Sequence, residues 1–233
     1  MAEGIKDNLA RVREAIAQAA TRAGRWPDEV TLIAVSKTFD AATVGQAVDA
    51  GARDLGENRV QEAATKVGVV KADGLRWHLI GHLQSNKARL AVKTFDVIHT
   101  VDSVELAGRL DRICGEERRR LDVLVQVDLG HEAAKTGADE TEVPAIVEAL
   151  DAARHLSLKG LMTMPPLFDD AERARPFFRR LRELRDELNG GRALERRLTE
   201  LSMGMSHDFR VAIEEGATMV RVGTAIFGAR TKL

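Results

Sequence analysis

Lys37 closes the apolar run Thr31-Leu-Ile-Ala-Val-Ser-Lys37, so its amine stands at the end of a segment of strand length. Low-dielectric surroundings lower a lysine pKa, and the neutral amine attacks an aldehyde to form a Schiff base. Position alone also suits a lysine that caps a strand and reaches water, as most lysines do. A second cluster adds weight to chemistry. Arg221-Val-Gly-Thr224 leads into Ala225-Ile-Phe-Gly228, which reads as a strand end followed by a short helix. Backbone N–H groups at a helix start, a glycine permitting close approach and a threonine hydroxyl together cradle a phosphate. Ser202 and Gly204, on the preceding strand end, are expected to close its other side. An amine beside a phosphate cradle points to a phosphorylated carbonyl compound.

Other polar residues carry less. His78 and His82 are four apart, but Gly81 falls between strand and loop, and no third ligand follows at a metal-like spacing. No metal site is expected. His207 and Asp208 should open a short helix, with Ser206 as its cap and Asp208 favoured by the dipole. Cys114 is the single cysteine, so no internal disulfide can form, in keeping with a reducing cytoplasm. Within a helical pattern it reads as a packing residue. Lys and Arg total 35 against 36 Asp and Glu, a net charge of -1, which lacks the basic excess of a nucleic-acid binder. Residues 1–24 interleave charges with apolar positions, the pattern of neither a signal peptide nor a membrane anchor.

The elements that must position Lys37 and the cradle follow from periodicity. Ile5, Leu9, Val12, Ile16 and Ala20 recur at helical spacing and predict a leading helix that stops near Gly24. Strands are predicted over 31–37, 54–58, 75–81, 97–101, 121–129, 158–164, 201–206 and 219–223, with helices between them. Pro165-Pro166 continues neither element. Ala174, Phe177, Leu181, Leu184 and Leu188 mark one helical face that ends at Gly190-Gly191. Eight strands alternating with helices argue for a parallel sheet. In 233 residues, near the roughly 250 of an eight-fold barrel, this predicts a single-domain (β/α)8 TIM-type barrel over 1–233 with an extra N-terminal helix. No Gly-x-Gly-x-x-Gly follows the first strand, which counts against an open dinucleotide-binding sheet. Barrel sites lie at the C-terminal strand ends, where Lys37, Asn58, Ser202, Gly204, Arg221, Gly223 and Thr224 fall.

At these residues the chain resembles a known family. Leu32-Ile-Ala-Val-Ser-Lys37, Gly56-Glu-Asn58, Trp77-His-Leu-Ile-Gly-His-Leu-Gln-Ser-Asn-Lys87, Leu201-Ser-Met-Gly-Met-Ser206 and Val220-Arg-Val-Gly-Thr-Ala-Ile-Phe-Gly228 are similar to motifs of the pyridoxal 5′-phosphate homeostasis proteins. That family is related to the N-terminal barrel of alanine racemase, the fold type III arrangement. The resemblance implies pyridoxal 5′-phosphate (PLP) as cofactor, joined to Lys37 as a Schiff base. It implies phosphate contacts from Ser202, Gly204, Gly223 and Thr224, with Arg221 near the pyridine nitrogen and Asn58 beside the ring. One departure stands out: the family usually carries an aromatic residue after that asparagine, and here it is Arg59. No catalytic role falls on His207.

The chain contains no tyrosine. Alanine-racemase-type chemistry resembles a two-face mechanism, with a lysine on one side and a second-domain tyrosine on the other. Arginine at the ring nitrogen is always protonated and cannot act as an acidic partner, so the ring is a weaker electron sink. The expectation is therefore a cytoplasmic, monomeric carrier that stores, buffers or delivers PLP to apo-enzymes, without turnover. The alternatives are a weak PLP-dependent racemase and a barrel aldolase that uses Lys37 on a sugar phosphate. Lys87 and Lys135 are candidates for holding the cofactor transiently on its way out.

Overall fold

The computed structural model describes residues 4–131 and 136–228, which leaves Lys135 outside the described residues. Eight parallel strands pair in chain order and close into a barrel, β8 returning to β1. They are β1 (Thr31–Val35), β2 (Asp54–Glu57), β3 (Arg76–Leu79), β4 (Val97–Val101), β5 (Leu121–Gln126), β6 (Leu156–Met162), β7 (Glu200–Met205) and β8 (Met219–Val222). Helix α1 (Ile5–Arg22) precedes them. The connections carry α2 (Ala41–Asp49), α3 (Val60–Val67), α4 (Ala88–Thr94), α5 (Val104–Glu116), α6 (Val143–Asp151), α7 (Arg175–Asn189) and α8 (Phe209–Glu214), and α9 (Thr224–Phe227) follows β8. The barrel and the extra leading helix are as the periodicity predicts.

Alternation along the strands separates two apolar regions. Ile33, Val97, Leu124, Met162 and Met219 point inward and form a small cluster inside the barrel. Leu55, Val123, Leu161, Val220 and their neighbours point outward and pack beneath the helices. Helix α1 buries Leu9, Val12, Ile16 and Ala20, and the Asn8 amide donates to the carbonyl of Ile226 in α9 at 2.9 Å. The leading helix thus braces the short helix that follows β8. Cys114 is buried on α5, where burial and the charge of Asp111 push its thiol up to about 11. At that value it is a packing group.

Register shifts interrupt the barrel at three places, the first in β4, where Ile98 and Val101 pair with Val123 and Val125. Val123 pairs with Leu158 but Leu124 pairs with Gly160, so β6 carries an extra residue. A Cβ at Gly160 would lie 1.8 Å from the Glu200 carbonyl oxygen, which explains a glycine inside this strand. In β7, Ser202 pairs with Met219 and Met205 with Arg221, three residues against two. Gly204 sits in this bulge at φ +92, a conformation that favours glycine.

Several boundaries differ from the sequence reading. Strand β6 starts at Leu156, two residues early, and the fourth helix begins as a 3-10 turn at Ser85–Lys87. In α7 it is Phe178 that is fully buried, while Phe177 stacks on Phe168. The cap of α8 is Asp208, whose carboxylate accepts from the N–H of Met205 at 2.6 Å, and not Ser206. No helix among the described residues is long and apolar enough to cross a membrane.

Candidate functional site

A cavity of about 470 Å³ opens at the C-terminal ends of the strands, a size suited to a small molecule. Lys37, Asn58, Ser206, His207, Arg221, Gly223 and Thr224 supply its polar lining, and Val35, Phe39, Ile80 and Met164 much of its apolar wall. Alternation explains the first of these: Ile33 and Val35 face the barrel interior, and Lys37 is next in that series. Val35 pairs with Gly56, so Lys37 and Asn58 stand two residues above the same rung. On the other side Ile33 pairs with Arg221, which places Lys37 two inward-facing positions above the rung of the guanidinium.

The turn that carries Lys37 is held from outside the barrel. Thr38 adopts φ 73, an uncommon conformation for threonine that costs on the order of 1–3 kcal/mol. Its N–H donates to Glu62 Oε1 at 2.5 Å, and the same oxygen accepts from Lys66 Nζ at 2.7 Å. Lys66 also donates to the Ser36 carbonyl at 2.9 Å and to Glu57 Oε1 at 2.8 Å, while the Ser36 hydroxyl donates to Glu57 Oε1 at 2.6 Å. Burial pushes the Glu57 carboxyl up, against the hydrogen bonds from Lys66 and Ser36. Ser36 points outward because Lys37 points inward, so this buried cluster clamps the backbone directly beneath the cavity amine. Phe39 stacks on Phe227 at 5.0 Å and ties the same turn to α9.

Beneath the cavity the barrel interior carries a continuous polar chain. Arg221 donates to Ser202 Oγ at 2.7 Å and to the Thr163 carbonyl at 2.8 Å. Ser202 Oγ lies 2.9 Å from His99 Nδ1, His99 Nε2 lies 2.9 Å from His78 Nδ1, and His78 Nε2 lies 2.9 Å from Asp54 Oδ1. Asp54 also pairs with Arg76 at the N-terminal end of the barrel. Burial holds the His99 imidazole well below its ordinary value, with the charges of Arg221 and Arg76 adding to the effect. Burial lowers the Arg221 guanidinium to about 10, against the charge of Asp208, so it stays a cation at neutral pH.

Five of the seven residues expected at the site therefore line one cavity: Lys37, Asn58, Arg221, Gly223 and Thr224. Ser202 and Gly204 are not among its lining residues. Ser202 precedes the β7 bulge and stays fully buried on the rung of Met219 below the cavity, whereas Met205 and Ser206 lie beyond the bulge and reach it. Gly204 faces α8 instead, where a Cβ would meet Ala212 Cβ at 2.6 Å. Ser206, read from sequence as a helix cap, accepts the Gly223 N–H at 3.2 Å. Arg59 is exposed and Lys87 half-buried, and neither lines the cavity. His82 lies 3.7 Å from Asp102, and no group of three metal-ligating side chains occurs among the described residues. The sequence reading missed His99, Asp54 and the Glu57–Lys66 pair. A histidine inside each of two neighbouring apolar strands was the available signal for the chain.

Comparison with known proteins places this geometry. The sequence profile of the alanine racemase N-terminal domain matches residues 7–231. The pyridoxal phosphate homeostasis protein of Escherichia coli (strain K12) is 43% identical over 229 residues, 97% of each chain. The chain belongs to the pyridoxal phosphate homeostasis protein family. The homeostasis protein of Aquifex aeolicus (strain VF5) is 41% identical over 96% of this chain and 97% of its own. PipY of Synechococcus elongatus PCC7942, solved with PLP bound, shares 44% identity at a TM-score of 0.84, covering 96% of this chain and all of PipY (100%). Alanine racemase of Clostridium difficile 630, at 17% identity and a TM-score of 0.71 over 94% of this chain and 60% of that enzyme, shares the barrel fold.

Two measurements follow for this homeostasis-family protein. Lys66→Met leaves the Glu57 carboxylate buried without its cation and should cost about 3–5 kcal/mol in urea unfolding, part of it regained when Glu57→Gln is added. His99 takes up a proton only in the unfolded chain, because its folded pKa is depressed. Its contribution is therefore present above about pH 6.5 and lost as pH falls below that value. The urea midpoint should fall between about pH 7 and about pH 5, and fall less in His99→Asn over the same interval.

Proposed function

We propose that this protein binds PLP in the cavity, joins its aldehyde to the Lys37 amine as a Schiff base, and stores and delivers it in PLP homeostasis. The observation that carries this reading is the meeting of an amine, a guanidinium and two hydroxyls on one cavity of suitable size: Lys37, Arg221, Ser206 and Thr224. Support comes from the homeostasis proteins at 41–43% identity and from PipY, solved with PLP bound.

PLP brings an aldehyde and an electron-withdrawing ring. The chain supplies the rest. The Lys37 nitrogen attacks the carbonyl carbon, and the carbonyl oxygen leaves as water. The phosphate is met by the Ser206 and Thr224 hydroxyls and by the N–H groups of Thr224 and Ala225, which have no partner within α9. Gly223 permits the approach, since a Cβ there would lie 3.2 Å from the Val35 carbonyl oxygen. Arg221 donates to the ring nitrogen and Asn58 lies beside the ring. In this reading Ser202 serves by holding Arg221, and Gly204 by forming the bulge that brings Ser206 to the mouth.

Carriage rather than turnover is favoured by what these residues can do with protons. Arg221 cannot give up its proton to the ring, and the chain has no tyrosine to act from the opposite face. The chain is read as one barrel domain that acts as a cytoplasmic monomer and passes PLP to apo-enzymes. Weak racemisation of amino acids is the competing activity.

Borohydride reduction of protein incubated with PLP, followed by peptide mapping, should place a phosphopyridoxyl group on Lys37. Lys37→Ala should lose both that label and the visible absorbance; label retained elsewhere at full yield sinks the anchor. Thr224→Ala should weaken PLP by about 1–3 kcal/mol, roughly 5- to 150-fold in Kd by equilibrium dialysis. Racemisation by pure protein that vanishes in Lys37→Ala would move the reading to an enzyme.

A further inference from the structure

The polar chain inside the barrel has two ends of opposite and fixed character. Arg221 carries only donors, and the Asp54 carboxylate carries only acceptors. Burial works to raise the Asp54 pKa, but the His78 hydrogen bond and the charge and hydrogen bond of Arg76 outweigh it and hold the carboxyl below its ordinary value. Between these ends stand three groups that each offer one donor and one acceptor: Ser202, His99 and His78.

With both imidazoles neutral, only one assignment satisfies every link. Ser202 accepts from Arg221 and so gives its own proton to His99 Nδ1. His99, neutral because of its burial, must then carry its proton on Nε2 and donate to His78 Nδ1. His78 in turn carries its proton on Nε2 and donates to Asp54. Reversal would turn the His78 donor away from the carboxylate and leave the Ser202 hydroxyl proton without an acceptor in a fully buried site. The links come from β8, β7, β4, β3 and β2, so the chain crosses the barrel from the cavity floor to its N-terminal end.

We propose that Asp54, His78, His99 and Ser202 form a one-way hydrogen-bonded lock that fixes the position and donor direction of Arg221 at the cavity floor. They are positioning residues; none of the four lines the cavity. The lock faces two charged groups outside the chain: Arg76, paired with Asp54, and Asp208, near Arg221. Arg221 makes its two hydrogen bonds to neutral oxygens, Ser202 Oγ and Thr163 O, so its aim depends on how those oxygens are held. The lock presents the guanidinium to an acceptor-only atom of a bound ring, a role that rests on the PLP reading above.

The test begins on protein without PLP. With 15N-labelled histidine, NMR at about pH 7.5 should find both His78 and His99 neutral and protonated on Nε2. A proton on Nδ1 of either, or a cationic ring, overturns the lock. Asp54→Asn gives the far end a donor and permits reversal, so His99, which does not touch residue 54, should gain an Nδ1-protonated population. Arg76→Gln removes the same surface ion pair and should leave His99 unchanged. An unshifted His99 in Asp54→Asn, or an equal shift in Arg76→Gln, overturns the coupling. With PLP added, Ser202→Ala should raise Kd roughly tenfold while Lys37 is still labelled, and Asp54→Asn should move it the same way. Unchanged Kd in both variants overturns the positioning role. Absence of label on Lys37 in the unmodified protein instead defeats the PLP reading, and the tautomer result stands apart from it.

Discussion

A guanidinium almost wholly buried at the floor of a narrow barrel meets little water, so its protein neighbours must offer fixed oxygens. Arg221 is 3% exposed, and the interior of this protein is organised around that requirement. The Thr163 carbonyl meets one nitrogen because β6 ends just before it, and Ser202 meets another because β7 bulges just after it. The histidine pair continues the polar path where an apolar filling would leave the Ser202 hydroxyl unmatched. What remains of the inner space is closed by the five residues of the small apolar cluster.

The opposite side of β1 and β2 solves a different problem. Lys37 must project upward from a turn whose next residue is held at positive φ. That conformation persists only where surrounding contacts over-determine it. Here the contacts are Glu62 on the Thr38 N–H and Lys66 on the Ser36 carbonyl, with Glu57 beneath. A buried ion pair is a poor source of net stability, but its geometry is specific. It fixes where the backbone leaves the strand, and through that the direction of the amine. One polar system reaches the cavity from inside the barrel, and the other from behind β1 and β2.

The order of strands and the placement of Lys37 were legible because each rests on a local pattern. Alternating elements predict a parallel sheet, and the length available leaves little choice but closure. The stretch from Arg221 to Gly228 was equally plain: a buried strand end, a glycine and a short helix in sequence. Ser202 and Gly204 were expected at the cavity because they stand on the strand end beside the Arg221–Thr224 stretch, a position that does not reveal the bulge between Ser202 and Met205. His78 and His99 were legible as oddities within apolar strands, though not as a pair, since they are 21 residues apart in the chain.

By itself, then, the sequence determined the barrel, the inward aim of Lys37 and the residues at the ends of β1, β2 and β8, all of which follow from short-range periodicity. Tertiary structure alone decided that Ser206 replaces Ser202 at the mouth, that Glu57 and Lys66 clamp the Lys37 turn, and that Asp54 connects to Arg221. The physical reason is that a bulge is a relation between two strands: nothing in β7 alone reveals that three of its residues face two of β8. Hydrogen-bond direction is likewise a property of the whole chain of groups, set by its two charged ends and by no single residue within it.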